Sequence, residues 1–154
     1  MYTPQIRENS TLSTSSLVRN LESASTQRLN TQYYKQVKEY QKKRFNLQKL
    51  YSFKELELNW NNNQGLPFDR EIILFCIDIV SSLTKQPDVF PTGRNSIQLE
   101  YEKENGEYLE FEVFQNQINV FYMNGNDDEK EDILSITEKN QINEIVSEFY
   151  EGNN

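Results

Sequence analysis

The 154-residue chain reads as an α+β protein: a three-stranded antiparallel meander packed on a central helix, with a long N-terminal amphipathic helix and a C-terminal closing helix. Three observations lead there. Residues 97–114 alternate apolar and acidic side chains on both sides of Asn105-Gly106, the pattern of a half-buried β-hairpin. Ile72, Phe75, Cys76, Ile79, Val80 and Leu83 recur at i, i+3, i+4 spacing, which marks a helix with one buried face. Residues 28–51 place Leu29, Tyr33, Val37, Tyr40, Leu47 and Tyr51 on one helical stripe, with Arg28, Lys35, Lys38, Lys42 and Lys49 opposite.

Each element follows in order. Residues 1–27 are rich in Ser, Thr and Asn and hold few large apolar side chains. Burial there would not offset the entropy of ordering, so a disordered tail is expected. Residues 28–54 form the basic amphipathic helix, and 55–154 the acidic α+β domain. The run Asn59-Trp60-Asn61-Asn62-Asn63-Gln64-Gly65-Leu66-Pro67 has turn chemistry, with Trp60 folding back over the next helix. Asp69 caps that helix, expected over 69–84. Pro87 and Pro91 hold residues 87–94 extended. Strands are expected over 96–103, 108–115 and 117–123. The acidic stretch 126–132 reads as a loop. It leads to a closing helix over 136–150, announced by the capping box Ser135/Glu138 and faced by Ile142, Ile145, Val146 and Phe149.

The hairpin sets the charge layout. Ile97, Leu99 and Tyr101 share a face with Leu109, Phe111 and Val113, leaving Gln98, Glu100, Glu102, Glu110 and Glu112 on the other. Matching these sets excludes a two-residue loop. A three-residue loop at Asn105-Gly106-Glu107 opposes Glu102 to Glu110 and Glu100 to Glu112, and opposed like charges destabilise. Arg94, just before the first strand, is placed to pair with one of these carboxylates.

The net charge of −8 hides two opposite parts. Residues 1–54 hold ten Lys/Arg against three Glu, whereas 55–154 hold six Lys/Arg against 21 Asp/Glu. Such asymmetry implies separate electrostatic tasks, or attraction of the basic helix to its own acidic domain. No apolar run reaches the roughly 18 residues of a membrane span, and Met1 is not followed by a basic-then-apolar signal, so a soluble cytoplasmic protein is expected. The single Cys76 agrees with a reducing compartment and reads as a small buried hydrophobe.

Catalytic chemistry is sparsely equipped. With no histidine, Ser-His-Asp and Cys-His catalysis and His/Cys zinc sites are excluded. Pro91-Thr92-Gly93-Arg94 lacks the spacing of a phosphate loop, and 126–132 lacks the ligand spacing of an EF-hand. Asp88, Glu100 and Glu102-Lys103 loosely resemble the Asp…Glu-x-Lys set of metal nucleases. Here, however, Tyr101 stands two before Lys103, and alternation turns Lys103 away from both glutamates. No cofactor and no metal site is expected.

One longer pattern stands out. Leu58-Asn59-Trp60-Asn61, Gly65-Leu66-Pro67, Gln86-Pro87-Asp88-Val89-Phe90-Pro91-Thr92-Gly93-Arg94, Ser96-Ile97-Gln98-Leu99-Glu100-Tyr101-Glu102 and Leu109-Glu110-Phe111-Glu112 together resemble a small domain found in many bacterial proteins described only as hypothetical. The resemblance spans most of the acidic domain and implies a domain type without an activity.

The leading expectation is a non-catalytic protein-interaction module of bacterial or mobile-element origin, of the inhibitor, antitoxin or immunity kind. It binds a basic partner through Glu100, Glu102, Glu110 and Glu112, with Arg94 beside them. A solvated sheet back is the plain alternative. A second function is nucleic-acid association through Lys35, Lys38, Lys42 and Lys49, against which the net charge and the lack of a recognition motif both count. A divergent metal-dependent nuclease is third.

Overall fold

The computed structural model describes residues 14–126 and 128–152. Its elements are α1 (Thr14–Ser52), a 3-10 turn (Phe53–Glu55), α2 (Arg70–Ser82), β1 (Asp88–Pro91), β2 (Ile97–Glu102), β3 (Tyr108–Val113), β4 (Gln117–Met123), β5 (Glu129–Ser135), a second 3-10 turn (Ile136–Glu138) and α3 (Gln141–Glu151). The fold is α+β, and the five strands form one antiparallel meander in the order β1-β2-β3-β4-β5. The chain divides into two units between Lys38 and Glu39, with α1 running through both.

In the first unit, the expected tail over 1–27 is corrected where it is described: Thr14 to Gln27 is helical, and residues 1–13 lie outside the described residues. No Gly or Pro interrupts residues 5–64. The hydroxyls that usually compete with a helix instead bond back into it: Ser25 and Thr26 donate to the Glu22 carbonyl, and Thr31 to that of Gln27.

In the second unit the core gathers Ile72, Ile73, Cys76, Ile79 and Val80 of α2, the inward residues of the sheet, and Ile142, Val146 and Phe149 of α3. Phe111 sits at its centre, fully buried. Phe75, expected with the core face of α2, is only half-buried at one margin of that face, while Ile73 at the opposite margin is buried. Asp69 stands at the N-cap of α2 but its carboxylate makes no capping bond. The capping box of Ser135 and Glu138 is present, yet it closes the 3-10 turn; α3 starts only at Gln141.

The C-terminal half of α1 inverts the expected polarity. Leu50 is buried and Leu47 of the expected stripe is partly buried against the core, but most neighbours on the docked side are polar, Glu39, Lys42, Lys43, Asn46 and Lys49, while Tyr40, Phe45 and Tyr51 are exposed. The reason lies in the carbonyls at the end of α2, which need donors. Gln86 Nε2 donates to the Val80 and Leu83 carbonyls, Lys43 Nζ to Ser81 at 2.9 Å, and Asn143 Nδ2 to Ser82 at 3.1 Å. Asn46 Nδ2 donates to the Pro87 carbonyl at 2.9 Å, and Glu39 accepts from the Gln86 amide at 2.8 Å. A polar face docks because it satisfies a buried junction.

The meander has five strands rather than three. The extended segment after Pro87 pairs with β2 as β1, and the acidic stretch expected as a loop becomes β5 from Glu129 onward. β5 is an edge strand whose only buried residue is Leu134, so no alternation betrays it. The β2–β3 register is also corrected. Lys103 and Glu107 close the hairpin, and the loop is Glu104-Asn105-Gly106 with Gly106 at φ 83°. Glu100 therefore faces Glu110, Gln98 faces Glu112, and Glu102 faces Tyr108. The shift is two residues, so every side chain keeps its predicted face.

Candidate functional site

Strand register builds one polar face, turned away from the core. Directly paired residues share a face, so the pairing defines rows across the sheet. One row runs Asp88, Glu100, Glu110, Phe121, Glu131. A second runs Phe90, Gln98, Glu112, Asn119, Ile133, and a third Glu102, Tyr108, Met123, Glu129. Between β3 and β5 these rows leave a groove of about 300 Å³, lined by Arg94, Glu110, Phe121, Glu131 and Ile133 among others.

The four glutamates singled out by the sequence behave differently from one another. Glu112 is not a free surface carboxylate: it is 5% exposed. Arg94 holds its Oε2 at 2.7 Å, and Ser96 Oγ donates to Oε1 at 2.5 Å, with Thr92 Oγ1 2.5 Å from the same Ser96 hydroxyl. The pairing expected for Arg94 is thus with Glu112. Glu110 accepts from Gln98 Nε2 at 2.9 Å and from the Tyr108 hydroxyl at 2.7 Å, both neutral donors. Glu100 is half-buried with no cation beside it. Desolvation, first, and the charge of Glu110 push its carboxyl above the usual range; a hydrogen bond from Tyr108 partly opposes them, and Asp88 and Glu102 add to the rise. Glu102 is exposed. Tyr108, between these carboxylates, has its phenol pushed up by desolvation and by Glu110.

Glu129 and Glu131 join this face, and sequence reasoning missed both because it read their segment as a loop. Phe121 was legible, since Ile118 and Val120 alternate with it. Among the described residues, the ion pairs on this face are Lys42–Asp88 at 2.9 Å and Arg94–Glu112. Among the described residues, Glu100, Glu102, Glu110, Glu129 and Glu131 have no cation partner.

The cations of α1 are divided in use. Lys42 is paired with Asp88, and Lys49 lies 4.5 Å from the centre of the Phe90 ring. Lys35 and Lys38, in the first unit, are exposed and make no ion pair among the described residues. Lys103, which the nuclease reading would need beside Glu100 and Glu102, bonds Glu107 at 2.6 Å and lies over Phe149 of α3, on the core side. Among the described residues no three acidic or thiol side chains gather to hold a metal ion. Cys76 is fully buried, and burial pushes its thiol pKa up, away from reactivity. No helix among the described residues is long and apolar enough to cross a membrane.

Asn61 brings the 59–65 loop close to the loop that carries Arg94. Its Oδ1 accepts from the Asn63 and Gly65 amides, and its side chain lies where a Cβ on Gly93 would come within 2.7 Å of Nδ2. Asn59, Asn62, Gln64 and Asn95 adopt positive φ in these same two loops. The Trp60-Asn61…Gly65 and Thr92-Gly93-Arg94 strings are thus adjacent in space. No family model, curated protein or solved structure matches the chain.

Proposed function

We propose that the protein is a non-catalytic interaction module, of the inhibitor, antitoxin or immunity kind, that binds a basic protein partner through the outer sheet face. The observation carrying this reading is the row Asp88–Glu100–Glu110–Phe121–Glu131: four carboxylates in line, of which only Asp88 has a cation among the described residues. Opposed like charges on a sheet cost stability, and Glu100 already resists ionisation. A cationic partner relieves that repulsion. Phe121 and the exposed Ile133 in the adjacent groove offer an apolar floor for lysine or arginine stems.

The nucleic-acid reading has less support, because Lys42 and Lys49 are committed to the sheet edge. The test is fluorescence anisotropy with a labelled lysine-rich helical peptide. It compares the natural chain with Glu100→Gln/Glu102→Gln/Glu110→Gln/Glu131→Gln, in which Glu131 replaces the buried Glu112. The variant is expected to melt at the same temperature or slightly higher, and to bind about tenfold more weakly, mainly through slower association. Affinity unchanged within about a factor of two, with the fold intact, would reduce the face to a solvated sheet back.

A further inference from the structure

Arg28, Lys35, Lys42 and Lys49 recur at every seventh residue of α1; Arg28 and Lys35, in the first unit, share one stripe with a rise of about 10.5 Å between them. Lys42 and Lys49, in the second unit, meet the edge of the acidic face. Lys42 seats on Asp88 at 2.9 Å and Lys49 over the Phe90 ring at 4.5 Å, and these are the β1 members of two neighbouring rows. Arg28 and Lys35 are exposed and make no ion pair among the described residues. Further along the same face, Glu110 and Glu131 stand two strands apart, about 9.6 Å, with Phe121 between them. The free cations and the free carboxylates therefore have matching spacing.

We propose that the outer face of one copy takes the Arg28/Lys35 segment of α1 from a second copy, with the arginine and lysine on Glu110 and Glu131. This rests on the reading of that face as a partner surface and names its occupant. Charge favours it locally: residues 14–38 carry four cations against the single Glu22. Two chains of −8 repel as wholes, but a screening length of about 8 Å at physiological salt confines the balance to groups in contact.

The experiment is sedimentation velocity on the full chain over a range of concentrations and salt. The natural chain is expected to self-associate, more weakly at about 0.5 M NaCl than at low salt. Arg28→Glu/Lys35→Glu should abolish association, at exposed positions whose side chains make no ion pair among the described residues. Glu110→Lys/Glu131→Lys should abolish it too, with Glu110→Gln/Glu131→Gln standing in if the lysine variant does not fold. An equimolar mixture of the two charge-reversed variants should associate again, since each arm then meets a face of opposite sign. A monomer under all conditions overturns the proposal, as does association that survives the Arg28/Lys35 change. If that result comes with undiminished binding of the lysine-rich peptide, only the second-copy assignment fails; if the peptide also fails to bind, the partner surface falls with it.

Discussion

Phe111 and Glu100 lie on adjacent strands and opposite faces, and they respond to substitution in opposite directions. Phe111 is fully buried, its ring edge-on to Tyr101 at 6.3 Å between centroids. Phe111→Ala should cost about 3–5 kcal/mol in denaturant unfolding, because the neighbouring strands and α2 cannot close over the space. A loss well below 1 kcal/mol would place the β3 side chains on the wrong faces. Glu100 is held above its ordinary pKa in the folded chain, so the folded state takes up a proton more readily than the unfolded one. Its contribution is most favourable below the unfolded pKa and is lost as pH rises through the folded value. Glu100→Gln is accordingly expected to raise the melting temperature at neutral pH, with the gain vanishing in mildly acidic buffer. A gain that grows on acidification would reverse the assigned sign. Glu138 has the opposite tendency: the Ser135 amide and hydroxyl hold its carboxyl below the usual range, so its capping weakens as pH falls through that lowered value.

Among the elements, α1 is where hydrophobic patterning misleads most. The Leu29–Tyr51 stripe was the natural candidate for burial, yet α1 docks by donating to the Ser81 and Pro87 carbonyls and by burying Leu50, with Leu47 the one member of that stripe placed against the core. Leu50→Ala is expected to cost about 2–5 kcal/mol. Tyr40→Ser and Tyr51→Ser, on the exposed side, should stay within about 0.5 kcal/mol of the natural chain. Comparable losses at Leu50 and Tyr40 in parallel melts would refute this orientation. The same contrast explains what could be read from the sequence. Alternation and i, i+3, i+4 spacing report apolar burial, so the faces of β2 to β4 and the core side of α2 were legible. Edge strands, polar docking and turn choice leave no such trace. β5 buries one residue; Lys43 and Asn46 act through partners about 40 positions away in sequence. The hairpin tip accommodates a three-residue loop at either of two positions, and only the left-handed Gly106 selects one.

At the scale of the whole molecule, charge is partitioned and only partly neutralised. Within residues 55–154 six cations face 21 carboxylates, and three of those six are occupied by Glu112, Glu107 and Asp78. Lys42 of α1 adds one pair at the sheet edge, so the basic segment offsets the acidic domain at a single carboxylate there. The candidate site was half legible for this reason. The sequence showed the surplus of acid and four of its members, while the fold moved Glu112 into a buried pair and brought Glu129 and Glu131 onto the face. Unneutralised repulsion at this density should be visible as a salt effect on folding. Screening length falls from about 30 Å at 0.01 M to about 3 Å at 1 M. Added salt weakens the exposed attractive pairs Lys42–Asp88 and Lys139–Asp78, each worth little, but relieves many more repulsive ones. At concentrations low enough to keep the chain monomeric, its melting temperature is expected to rise with NaCl. The Glu100→Gln/Glu102→Gln/Glu110→Gln/Glu131→Gln variant should show a shallower rise from a higher starting point. A melting temperature that falls with salt in the natural chain would mean that the attractive pairs dominate. The acidic face would then hold no repulsion for a partner to relieve.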